Sequence, residues 1–146
     1  MINVAVNKPD RKQSKVEFDA TYFKVYDDAV KLVECRFGAK GKQAERRAYI
    51  GYMAKAIMKS ATELGTQIRI ANSIYPIYQS ELEQRRIAQE KAIGLCFDIL
   101  TKYQLAMSEL KVPDDKHTNE IKHLIHEINC LKNWRTSDNK RFTDLG

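Results

Sequence analysis

Two adjacent arginines, Arg85 and Arg86, stand where a helical pattern would place aliphatic side chains, and Gln89 follows in the same phase. Taking a guanidinium out of water requires a carboxylate, phosphate or carbonyl to receive its donors. Turned inward, either arginine needs an internal partner, for which Glu63 and Glu81 are the candidates. Turned outward, it would serve a subunit or RNA interface.

The other side chains with chemical capacity are the histidines and cysteines. A di-iron centre in a helical bundle needs two Glu-x-x-His motifs and two further glutamates. Only Glu120-x-x-His123 fits, and His117 and His126 have no matching motif on another helix. Cys35, Cys96 and Cys130 lack the C-x-x-C spacing of a zinc site. They are odd in number and sit within apolar helical patterns, so buried free thiols are expected and a disulfide framework is not. No Gly-rich phosphate loop, no G-x-S-x-G elbow and no supported Cys/His pair is present, so neither a catalytic residue nor a metal nor a cofactor is expected.

The elements that would position these residues are helical. In 146 residues, 43% of them hydrophobic, there is room for one core and few breakers, with 6 Gly and 3 Pro. Residues 1–16 carry Lys8, Arg11, Lys12 and Lys15 and read as a flexible basic arm. Ser14-x-x-Glu17 has capping-box spacing, so a first helix is expected from there or from Asp19 to about Phe37, with Phe18, Tyr22, Val25, Ala29, Leu32 and Val33 on one face. Gly38 and Gly41 suit a turn. A second helix follows over about Gln43 to Ser73 on the stripe from Ile50 to Ala71, in which Gly51 and Gly65 suggest close packing. Pro76 and Ser80-x-x-Glu83 place the start of a third helix within 74–80, and Val112-Pro113-Asp114-Asp115 ends it. A fourth uses Ile121, Leu124/Ile125, Ile128, Leu131 and Trp134 on its apolar side, with Glu120, Lys122, Glu127 and Lys132 expected on its exposed side. Residues 137–146 read as a polar tail. The fold class is therefore all-α, an antiparallel up-down-up-down four-helix bundle over 17–136 with flexible basic termini.

Charge then acquires a location. The 25 Lys and Arg exceed the 19 Asp and Glu, giving a formal charge of +6 and favouring a polyanionic partner. Up-down connectivity would gather Arg69, Arg85, Arg86, Lys132, Arg135, Lys140 and Arg141 at one end with Tyr75, Tyr78 and Trp134. Lys40, Lys42, Arg46 and Arg47 form a secondary patch at the other. Cations neutralise phosphates, and exposed rings can stack on unpaired bases. The same residues also read as a solvated cationic surface with Tyr and Trp in the core. No run approaches the roughly 18–20 apolar residues of a membrane span, and Met1–Pro9 lacks a signal-peptide core, so a cytoplasmic protein is expected.

Three segments are more specific than a generic bundle: Arg69-Ile-Ala-Asn72; Glu81-Leu-x-x-Arg85-Arg86-x-x-Gln89-x-x-Ala92-Ile93-x-x-Cys96; and Leu131-Lys132-Asn133-Trp134-Arg135-Thr136-Ser137-Asp138. Over about residues 43–141 they resemble the accessory variability proteins (Avd) of diversity-generating retroelements. The resemblance implies a basic four-helix bundle that assembles as a pentameric ring. Its partners would be the element's reverse transcriptase and template-repeat RNA, with DNA open as a further ligand, and its role support of error-prone cDNA synthesis in mutagenic retrohoming. It carries over Arg85, Arg86, Lys132, Arg135 and Lys140 as nucleic-acid or polymerase contacts, with Arg69 and Arg141 beside them. Trp134 would either stack on a base or anchor the end of its helix. Charge reversal at Arg85 and Arg86 is then expected to weaken binding while helicity is kept. The four-helix proteins of ribosomal RNA intervening sequences are the alternative of the same fold, and a purely structural bundle is the alternative of another class.

Overall fold

The computed structural model describes residues 9–35, 37, 41, 45–113 and 115–146, with side chains from Ala20 onward. Residues 1–8, Lys40, Lys42, Gly38 and Asp114, which the sequence reading used for the basic arm, the secondary patch and two turns, lie outside the described residues, as do the side chains of Ser14 and Glu17. The chain is all-helical: α1 spans Pro9–Cys35, α2 Arg47–Ser73, α3 Gln79–Leu110 and α4 Thr118–Arg141, with no strand among the described residues. Each helix packs on two others, α1 on α2 and α4, and α3 on α2 and α4.

The apolar stripes explain the packing. Val25, Ala29 and Leu32 of α1, Ile50 to Ala71 of α2, Ala88 to Leu110 of α3 and Leu124 to Trp134 of α4 form one buried cluster. Burying such side chains contributes roughly 1.5–3 kcal/mol each. Packing of these faces, more than intrinsic propensity, is what stabilises the four helices. Gly65 permits a close approach, since a Cβ there would fall 2.3 Å from the Tyr22 hydroxyl. That hydroxyl donates to the Ala61 carbonyl at 3.1 Å. At Gly51 nothing lies within 4 Å, so the close packing expected there is absent.

Helix boundaries depart from expectation where local chemistry decides them. α1 begins at Pro9, so residues 9–16 are helical and not part of a flexible arm; proline suits a first helical turn because its missing amide is unneeded there. Phe37, fully buried at positive φ of 59°, follows α1, and Gly41 has φ of 62°. α3 starts at Gln79, and its start is closed by Glu81, whose Oε1 accepts the amides of Ile77 at 2.8 Å and Tyr78 at 2.9 Å. Ser80-x-x-Glu83 does not form the box expected of it. α3 ends at Lys111 in the left-handed region, φ 54°.

The largest departure is at the C-terminus. α4 runs through Arg141, so residues 137–141 are helix and not a polar tail. Phe142 is buried, and the Gly146 carbonyl accepts the Gln79 amide at 2.9 Å, docking the last residues on the start of α3. No described helix is long and apolar enough to cross a membrane.

Candidate nucleic-acid interface

Arg85 is not a surface residue. It is 1% exposed, and its Nε and Nη2 donate to the two carboxylate oxygens of Asp138 at 2.6 and 3.0 Å. Nη1 donates to the Ile74 carbonyl at 2.7 Å, and Gln89 Nε2 completes the Asp138 acceptor set at 2.7 Å. The Trp134 ring lies 5.1 Å from the guanidinium carbon and the Phe142 ring 5.6 Å. Of the two placements open for Arg85 the inward one holds, with Asp138 as the partner and neither Glu63 nor Glu81. Asp138 supplies the pairing because α4 extends one turn past Arg135 and brings a carboxylate opposite α3. Arg85 therefore leaves the proposed interface, and its charge reversal would test folding. Trp134, 1% exposed, is an anchor and no stacking platform.

The remaining candidates divide by what already engages them. Arg141 sits 3.6 Å from Asp138 and packs on Phe142. Arg86 donates through Nε and Nη2 to Asn139 Oδ1, and Arg135 lies 3.7 Å from Glu90. Arg69, Lys132 and Lys140 are exposed, with Lys132 Nζ 5.7 Å from the exposed Phe97 ring. In the secondary patch Arg46 pairs with Glu109 at 2.8 Å and covers Tyr49, while Arg47 is exposed. The end of α2, the start of α3 and the end of α4 do meet, through Arg85 with Ile74 and Asp138 and Arg86 with Asn139, and around that end the exposed cations Arg69, Lys132 and Lys140 stand on different helices.

α4 carries the clearest face. Its acids after the first turn are Glu127 and Asp138, and both are 0% exposed. Glu127 was expected on the solvent side; its inward turn leaves Lys122, Ile125, Asn129, Lys132, Thr136 and Asn139 as an exposed ridge at steps of three and four, flanked by Asn133 and Lys140. From Lys122 to Lys140 this face is about 27 Å long at 1.5 Å per residue, and it bears no carboxylate. Lysines neutralise phosphates while amides and hydroxyls exchange hydrogen bonds with sugars and bases. Glu127 instead acts in the core. Burial, the neighbouring Tyr26 and its charge raise Tyr22 to about 12, and burial with the same charge pushes the Cys96 thiol up.

Sequence reasoning gave no role to Asn129, Asn133, Thr136, Asn139 or Lys122, all of which are exposed on this side of α4. The run is legible in the sequence as non-acidic residues at steps of three and four, polar apart from Ile125. It was masked by placing Glu127 on the wrong side.

At the other end of α4, His123 Nδ1 pairs with Asp28 Oδ2 at 2.6 Å and His117 Nδ1 with Glu120. Phe37 and Tyr103 pack edgewise and tilted against the His117 ring. Burial raises Asp28 above its ordinary value even though His123 opposes this. The His123–Asp28 pair ties α1 to α4, while His117–Glu120 closes the start of α4, and no group of three metal-ligating side chains forms among the described residues. Cys96 and Cys130 are buried as expected, but Cys35 is exposed. No protein-family model, no curated protein and no solved structure matches the chain.

Proposed function

We propose that the chain is a non-catalytic accessory protein of a diversity-generating retroelement, acting in the cytoplasm as a ring-like homo-oligomer, a pentamer by resemblance. It binds the element's reverse transcriptase and its template-repeat RNA, with DNA as a further ligand, and so supports error-prone cDNA synthesis. The observation that carries the reading is the carboxylate-free face of α4, on which Lys132 and Lys140, two positions of the resemblance, lie exposed beside Lys122. Arg86 and Arg135 edge the same face, so four of the five basic positions carried over fall on or beside it.

The arrangement we infer is the antiparallel up-down-up-down bundle, and side-chain pairings support it. Between α2 and α3, Arg46 meets Glu109, Ser60 meets Asp98, and Ala71 meets Arg85. Between α3 and α4, Arg86 meets Asn139 and Phe97 meets Lys132. In both pairs the residue numbers run in opposite directions.

The test is co-purification of the tagged protein with a reverse transcriptase encoded beside it, with and without template RNA, across a salt series. A stoichiometric complex that weakens with salt is expected. No association at low salt overturns the proposal, and a stable monomer by light scattering at micromolar concentration overturns the ring.

A further inference from the structure

We propose that copies of this chain meet through α1 and α2: the outer apolar stripe of α1 on one copy seats on the outward side of α2 on the next. The inference rests on the ring of the preceding reading and adds the two surfaces at which its copies join.

α1 carries two apolar stripes. Val25, Ala29 and Leu32 enter the core of their own bundle. Phe23, Tyr26, Val30 and Val33 follow one another at steps of three, four and three along a second side, with Phe23 40% and Val33 42% exposed and Tyr26 and Val30 half-buried. A helix at the surface of a single bundle needs one apolar side. A second, with the three-four spacing by which helices interlock, is a surface for another helix. Its neighbours fix its placement. The rings of Phe23 and Tyr26 lie 5.3 and 6.2 Å from that of Tyr22, whose hydroxyl reaches the Ala61 carbonyl of α2, whereas Asp28 pairs with His123 of α4. The stripe therefore opens on the α2 side of α1.

Charge identifies the occupant. Asp27 and Glu34, three residues before Val30 and four after it, edge the stripe; both are exposed, and among the described residues no cation pairs with either. Lys24 and Lys31, four residues before Asp28 and three after it, stand on the α4 flank instead. The outward side of α2 is the reverse. Lys55 and Lys59 are exposed there, and among the described residues no carboxylate pairs with them. The acid of that helix, Glu63, accepts a hydrogen bond from Gln67 Nε2 at 2.8 Å. Tyr52, 69% exposed, precedes the two lysines by one turn and supplies a ring to cover the stripe. The spans agree as well, since Asp27 to Glu34 and Tyr52 to Lys59 each cover about 10 Å at 1.5 Å per residue. A phosphate backbone on the α1 stripe would be repelled by both carboxylates, whereas the α2 of a second copy brings cations to them.

The two surfaces differ, so each copy gives α1 to one neighbour and α2 to the other, the kind of contact from which rings are built. α4, which packs on α1 and α3, lies outside it and keeps its polar ridge open.

The test is the mass of the full chain by sedimentation across micromolar concentrations, with neither RNA nor polymerase present. The parent is expected to be an oligomer. D27K/E34K, K55E/K59E and F23A/V33A are each expected to raise the concentration at which it dissociates by at least about tenfold, with helicity unchanged by circular dichroism. The combined D27K/E34K/K55E/K59E, which exchanges the charges across the contact, is expected to regain the parent's mass. A mass unaltered by D27K/E34K overturns the contact, and so does a combined variant no better associated than D27K/E34K. If D27K/E34K keeps its mass but no longer retains the reverse transcriptase, the stripe belongs to the polymerase and the proposal falls. Failure of the ring itself is separately visible as a parent protein that is already a monomer, which overturns the contact with it.

Discussion

At Asp138 one fully buried carboxylate receives two nitrogens of Arg85 and one of Gln89, and the guanidinium so held also caps the last carbonyls of α2 through Ile74. Removing one partner of such a pair leaves an uncompensated charge in low dielectric, which costs about 3–5 kcal/mol. Asp138→Asn, equal in volume, is expected to lower unfolding free energy by that amount in denaturant titration. The Arg85→Met and Asp138→Leu pair should cost less than the two single changes summed, because the double variant strands no charge. A sum that is simply additive would show that the network is not coupled. Arg86→Met, one residue away on a half-exposed pair with Asn139, should change stability by less than about 1 kcal/mol. The residues quoted for the family resemblance thus divide in function: Arg85, Gln89, Trp134 and Asp138 hold α3 to α4, whereas Lys132 and Lys140 face outward.

A helix's stability here depends on what each glycine and each first turn meets. Gly51 and Gly94 have nothing within 4 Å of an added Cβ, so alanine at either restricts the unfolded chain and favours the helix, a gain of about 0.5–1 kcal/mol each. At Gly65 the same methyl meets the Tyr22 ring, and overpacking of this kind costs about 1–3 kcal/mol. Thermal melts should therefore move up for Gly51→Ala and Gly94→Ala and down for Gly65→Ala. The start of α3 has its own pH dependence. The amides of Ile77 and Tyr78 hold the Glu81 carboxyl below its ordinary value of 4.5. A lowered folded value means that the ionised form favours the folded state. The contribution is complete above the ordinary value and disappears as pH falls through the lower one. Glu81→Gln is expected to flatten the acid limb of stability measured by melts at successive pH values. An unchanged acid limb would assign it to other carboxylates such as Asp98, which burial raises but Lys102 and Ser60 bring below its ordinary value.

Across the whole molecule, the helices were legible because each carries a long apolar stripe, and one stripe of period 3.6 already implies a buried side. What escaped was pairing at a distance. Arg85 and Asp138 are 53 residues apart, so nothing local marks one as the other's partner. The same blindness hid the inward turn of Glu127 and, with it, the face of α4. It also read residues 137–141 as a tail, because polar composition there reflects a buried ion pair and not solvation. The single core has a consequence that thiol chemistry can read. Cys96 and Cys130 lie within the cluster shared by all four helices, whereas Cys35 is exposed at the last residue of α1. Alkylation requires a thiolate, and burial together with the charge of Glu127 pushes the Cys96 thiol up, so it is both shielded and protonated. Reaction at Cys96 must then await opening of the core, which for a cooperative domain of ordinary stability slows it at least about a thousandfold. Maleimide at neutral pH is expected to add one adduct by intact mass, mapped to Cys35, and three once denaturant is present. Native labelling of Cys96 or Cys130 at a rate near that of Cys35 would mean that α3 and α4 separate without global unfolding, and would break the view of a single cooperative core.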